Sequence, residues 1–114
     1  MQAIFEYQSL MCELTGMYVA NAGVYDGGAA LAEAILMARA IRGKGLRVVL
    51  SEGIHPYYRE VFKTYLMGYK DEIIFSSLEK RGYTDLNMLE DFVKDGKAHA
   101  FAVQYPNFLR FKKV

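Results

Sequence analysis

Three short stretches hold the residue types able to do chemistry, and each falls beside a turn. Asp26-Gly27-Gly28 joins a carboxylate to two residues that have no side chain. At a helix start such a group leaves backbone N–H groups and the positive end of the helix dipole facing outward, which suits an anion such as phosphate. The same residues also read as a tight turn in which Asp26 caps the helix and nothing is bound. No Gly-Lys-Ser/Thr follows and the spacing is not Gly-x-Gly-x-x-Gly, so neither phosphate-loop pattern applies. His55-Pro56 is the second stretch. Proline belongs at the first helical position, which puts His55 at the cap, either as a plain cap or with its ring offered for stacking or proton transfer. Ser51-Glu52 lies just upstream. Without a Gly-x-Ser-x-Gly elbow, however, one short stretch cannot orient a Ser/Glu/His hydrolytic group. The third stretch runs from Gln104 through Tyr105 and Pro106 to Asn107. Cys12, His55 and His99 are far apart and show neither Cys-x-x-Cys nor His-x-x-x-His spacing, so no metal centre is expected.

The elements that must position these residues follow from apolar spacing. Residues 4–15 place Ile4, Tyr7, Met11 and Leu14 on one helical face, and Gly16 is a natural stop. Residues 17–22 are short and apolar, compatible with a buried strand. Residues 29–42 form an Ala-rich helix with Leu31, Ile35 and Ala38 along one face; Arg39, Arg42 and Lys44 gather at its end, closed by Gly43 or Gly45. Residues 47–51 are a continuous β-branched run typical of a strand covered on both faces. A helix then carries Tyr58, Val61, Phe62, Tyr65 and Leu66 and stops at Gly68. Ile73-Ile74-Phe75 makes the next strand. Thr84 caps a helix through Leu86, Leu89 and Val93 that Gly96 ends, and residues 99–104 form a last buried-type strand. Strands alternating with helices predict an α/β fold with a mostly parallel sheet and right-handed crossovers. Ligands bind such sheets at the carboxyl ends of the strands, where all three stretches converge.

Composition bounds the rest. A chain of 114 residues suits one domain, and 53% hydrophobic with 24% charged residues describes an ordinary globular protein. A net charge of +1 offers no electrostatic case for nucleic acid or an anionic membrane as partner. The single Cys12 and a start without a basic and apolar leader point to a reducing cytoplasm. Residues 28–41, the most apolar stretch, are interrupted by Glu33 and Arg39 and fall short of the ~18 apolar residues a membrane span needs. Phe5, Tyr7, Tyr18 and Tyr25 crowd the first quarter, either as core or as an interface with another polypeptide. The basic residues Arg110, Lys112 and Lys113 read as a solvated tail.

Taken as a set, Glu13-Leu14-Thr15-Gly16-Met17, the run from Ala20-Asn21-Ala22 to Tyr25-Asp26-Gly27-Gly28, Ser51-Glu52-Gly53-Ile54-His55-Pro56-Tyr57-Tyr58-Arg59, Thr84-Asp85-Leu86 and Gln104-Tyr105-Pro106-Asn107-Phe108 resemble the P-protein of the glycine cleavage system, in particular subunit 1 of its two-chain bacterial form. The resemblance runs through nearly the whole chain in order. It implies a fold-type-I pyridoxal phosphate enzyme, glycine dehydrogenase (decarboxylating), in which glycine loses its carboxylate as carbon dioxide. The aminomethyl group then passes to the lipoyl arm of the H-protein, with the cofactor as electron sink. It further implies that subunit 2 holds the cofactor through a lysine, so no residue here is expected to be catalytic and pyridoxal 5'-phosphate is not expected to be covalent. By match to the family's motifs, Asp26, Gly27 and Gly28 would face the cofactor phosphate, His55 the pyridine ring and Asn107 the cofactor edge. Family chains are several times longer, Arg110 stands where they usually have Gly, and residues 111–114 do not continue the pattern. Residues 1–114 are therefore expected to be a single partial α/β domain, a fragment of the large domain that is inactive alone and oligomeric with its partners. The alternative is a non-catalytic α/β interaction module, or pseudo-subunit, sharing only the scaffold. A third reading is an unrelated phosphate binder using the Asp26 turn.

Overall fold

Val48, Val49 and Leu50 are fully buried in succession, so the strand that carries them must be covered on both faces. The computed structural model, which describes residues 1–43, 47–96 and 98–109, places that strand at the centre of a parallel sheet. The element order is α1 (Gln2–Thr15), α2 (Gly27–Arg42), β1 (Arg47–Ser51), α3 (Pro56–Leu66), β2 (Glu72–Ser76), α4 (Leu86–Lys94) and β3 (Ala100–Ala102). The strands lie in the order β2-β1-β3, with Val48 opposite both Ile73 and Ala100, and Leu50 opposite both Phe75 and Ala102. The expected α/β architecture is the one observed.

Side chains alternate across a strand, so Val48 and Leu50 share one face. There they join Ala32 and Ile35 of α2 with Phe62 and Leu66 of α3 in the core cluster. Each large apolar side chain sealed there contributes about 1.5–3 kcal/mol. The small residues of α2 let α3 approach closely: Gly28, Ala29 and Ala32 are all buried. At the far end of α2, Arg39 Nε meets Asp71 Oδ2 at 2.7 Å, with the guanidinium 4.1 Å above the Tyr69 ring. This ties the helix to the turn before β2. His99 extends the β1–β3 pairing: its N–H donates to Arg47 O and its Nδ1 accepts from Arg47 N.

Several expectations need correction. Residues 17–22 form no strand; Met17, Tyr18 and Val19 are exposed, and the backbone there is held by Gln8 Nε2 donating to Ala20 O. Apolar character alone does not make a strand without a neighbouring ladder. The first helix ends on Gly16 at φ 70° as expected, yet none of its residues is buried. Gly43, at φ 92°, caps α2. Helix α3 ends one residue before Gly68, on Met67 in ordinary helical geometry. Asp85, not Thr84, caps α4, because its carboxylate reaches the N–H groups of Asn87 and Met88 while the Thr84 hydroxyl is held by Ser51. The last strand is shorter than residues 99–104, and Phe101 on it is half exposed, as suits the edge of a sheet. Lys44, Gly45 and the basic tail of Arg110, Lys112 and Lys113 lie outside the described residues.

Candidate functional site

Because β1 and β3 are parallel, the segments that follow them leave the sheet at one edge, where they are tied together. Ser51 ends β1, and its hydroxyl accepts from Gly53 N at 3.0 Å and lies 2.8 Å from Thr84 Oγ1. Glu52 N donates to Ser76 O, joining this turn to the end of β2. A Cβ on Gly53 would fall 2.9 Å from Asn107 Cβ, so glycine is required for the two turns to touch. Phe108 N donates to Gly53 O at 2.7 Å, and Asn107 Nδ2 donates to Gly82 O at 2.7 Å. Asn107 is buried. Its side chain works as a clamp between the turn after β1 and the turn before α4.

His55 is the next residue out. It caps α3 as expected: its Nδ1 accepts from Tyr57 N at 3.1 Å, so the neutral ring carries its hydrogen on Nε2. Its ring packs against Phe108 at 4.6 Å and Tyr58 at 5.2 Å between centroids. The Tyr58 ring in turn covers Gly27, where a Cβ would sit 2.7 Å from it, and Val61 stands 3.1 Å from the same position on Gly28. The two glycines therefore make room for α3. Asp26 caps α2, its Oδ1 accepting from Ala29 N at 2.6 Å. Gly27, Tyr58, His55 and Phe108 thus form one continuous contact chain, while the Asn107 amide turns toward Gly82.

Two clefts flank Gln104 at this edge. One, of about 300 Å³, is lined by Gly27, Leu31, Ile54, Tyr58 and Ala102 among others. The second, of about 240 Å³, is lined by Tyr83, Thr84, Leu86 and Asn107. No Asp, Glu, Lys or Arg among the described residues lines either cleft. They suit apolar or neutral groups oriented by amide and hydroxyl hydrogen bonds rather than acid–base chemistry. No three His, Cys, Asp or Glu among the described residues converge as metal ligands. No described helix is long and apolar enough to cross a membrane.

Tyr58 stands on the apolar stripe expected of its helix, and Gly53 and Gln104 in the segments expected at this edge; what apolar spacing does not show is that they meet Gly27, Phe108 and His55 respectively. The signal for Gln104 was its place directly after a strand of a parallel sheet; for Gly53, the absence of a side chain between two turns.

Residues 1–111 match the family model described as glycine cleavage system P-protein. A "Probable glycine dehydrogenase (decarboxylating) subunit 1" of Aquifex aeolicus is 62% identical over 111 residues, covering 97% of this chain and 25% of that protein. A protein of the same description from Coprothermobacter proteolyticus is 50% identical, covering 97% and 24% respectively. The chain thus spans about a quarter of the length of the curated relatives it matches. Among solved structures, an inhibitor-bound glycine decarboxylase (P-protein) of the glycine cleavage system superposes with a TM-score of 0.63 at 44% identity, over 68% of this chain and 18% of that one.

Proposed function

The chain belongs to the family of the glycine cleavage system P-protein, and from that premise we propose that it is part of subunit 1 of a two-chain glycine dehydrogenase (decarboxylating). The observation that carries this reading is the 62% identity to a protein described as that subunit. In this reading glycine is decarboxylated by the assembled complex in the cytoplasm, and the aminomethyl group passes to the lipoyl arm of the H-protein. The free thiol of Cys12 suits a reducing compartment.

The described residues do not make a seat for pyridoxal phosphate on their own. Neither cleft offers a lysine, and the start of α2, where a phosphate would bind, already holds the Asp26 carboxylate. A second anion there meets like charge. The reading therefore assigns the cofactor to subunit 2. Asp26, Gly27, Gly28, His55 and Asn107 are proposed as wall residues of a site that the partner completes, within a partial fold-type-I large domain. A partner is also supported by α1, whose Phe5, Leu10 and Leu14 are exposed among the described residues.

The deciding experiment combines the full-length parent protein with subunit 2 and follows exchange of labelled bicarbonate into the glycine carboxyl group. Exchange that requires both subunits is expected; none would overturn the enzymatic reading. The scaffold-only alternative draws on one observation, that the Asp26 and Asn107 side chains are engaged in internal hydrogen bonds. It predicts that the parent protein ignores subunit 2 in a pull-down.

A further inference from the structure

We propose that Gln104 is the positioning residue of His55, pinning the histidine from outside its own helix and so fixing which ring nitrogen faces outward. The inference rests on the wall role given to His55 above. Ala102 is opposite Leu50 in the parallel register, so the segment after β3 runs alongside the turn that leads to His55. There His55 N donates to Gln104 Oε1 at 2.9 Å, across 49 residues of sequence. A backbone N–H can only donate, so the carboxamide has one orientation, with Oε1 on His55 and Nε2 turned away.

The other restraints on His55 divide into local and distant ones. Tyr57 N on Nδ1 and the Tyr58 ring both come from the first turn of α3. Among the described residues, the 104–108 segment holds the residue from elsewhere, through Gln104, through the Phe108 ring and through Phe108 N on Gly53 O. Gln104 is the point in that segment that grips the histidine's own backbone, at φ −48° and ψ 129°. Released there, the residue can rotate, the Tyr57 N–H bond to Nδ1 opens, and the ring loses its Nε2–H preference.

The test compares Gln104→Met, which keeps volume and loses the acceptor, with Gln104→Glu, which keeps an acceptor oxygen. In the wild-type chain and Q104E, ¹⁵N spectra of the His55 ring should show the Nε2–H tautomer. In Q104M the tautomers should mix, and the His55 amide should exchange at least about five-fold faster, the ratio for a hydrogen bond of about 1 kcal/mol. Unchanged tautomer and exchange in Q104M overturn the proposal, as do mixed tautomers in the wild-type chain, which needs no variant to fold. In the complex with subunit 2, glycine–bicarbonate exchange tests the reading beneath it. A kcat loss in Q104M that disappears in a His55→Ala background supports both. A tautomer shift with no effect of either variant on exchange leaves the positioning role standing and removes the wall role of His55.

Discussion

Two glycines at the carboxyl edge look alike in the sequence but answer to different neighbours. At Gly27 the obstruction to a side chain is the outer part of the Tyr58 ring, 2.7 Å away, which can tilt into the adjoining cleft. At Gly53 the obstruction is Asn107 Cβ at 2.9 Å, an atom one bond from a backbone that is itself bonded through Phe108 N to Gly53 O. That contact cannot give without moving a turn. Gly53→Ala is therefore expected to cost more than Gly27→Ala, in the range of about 1–3 kcal/mol for overpacking, with Gly27→Ala at its lower end. Chemical denaturation of the three chains checks the order. Equal midpoints would show that the Asn107 clamp is looser than its geometry indicates. Asn107→Ala keeps the obstructing Cβ, so it should leave the Gly53→Ala penalty in place and add the loss of the donor to Gly82 O.

At the scale of elements, helices and strands were legible where a local cause was sufficient. Asp26, Pro56, Gly16 and the run from Val48 to Leu50 each dictate their structure within a few residues, and each stands where expected. The misread cap of α4 has a different cause: a distant partner decided. Thr84 looked like a cap, but its hydroxyl belongs to Ser51, 33 residues away, and Asp85 has the freedom to cap instead. Asp85→Ala should cost about 1 kcal/mol, as cap removal commonly does. Hydrogen exchange should then quicken at Asn87 and Met88, whereas Thr84→Ala should leave those two amides slow. Equal loosening in both variants would make Thr84 part of the cap after all. The candidate edge was legible in the same measure. The three stretches could be placed at one end of a parallel sheet, but the bonds made there, His55 to Gln104 and Asn107 to Gly82, span 49 and 25 residues and have no local signature. The Arg39–Asp71 pair is of the same kind. Asp71 has only 1% of its side chain exposed, so Asp71→Ala strands a half-buried guanidinium and should destabilise by about 3 kcal/mol in a melt.

At the scale of the molecule, stability and association should be separable, because they lie in different parts of the chain. The core is built from α2, α3 and the sheet, while α1 contributes no buried residue. Phe5 and Leu10 of that helix are 71% and 60% exposed, and Tyr18 and Tyr25 in the segment after it are more so. Apolar groups in that position add nothing to folding that a polar group would lose, but they are the natural contact for a second polypeptide. Leu10→Asp is accordingly expected to leave the melting behaviour of this chain within about 0.5 kcal/mol of the original, as exposed substitutions do. In the full-length parent it should weaken or abolish co-purification with subunit 2. A core change such as Phe62→Ala should do the reverse in this chain, costing about 3–5 kcal/mol for the cavity it leaves. If Leu10→Asp lowers the melting transition as much as the core change, α1 folds back on the domain in solution. If it changes neither stability nor co-purification, the partner docks elsewhere.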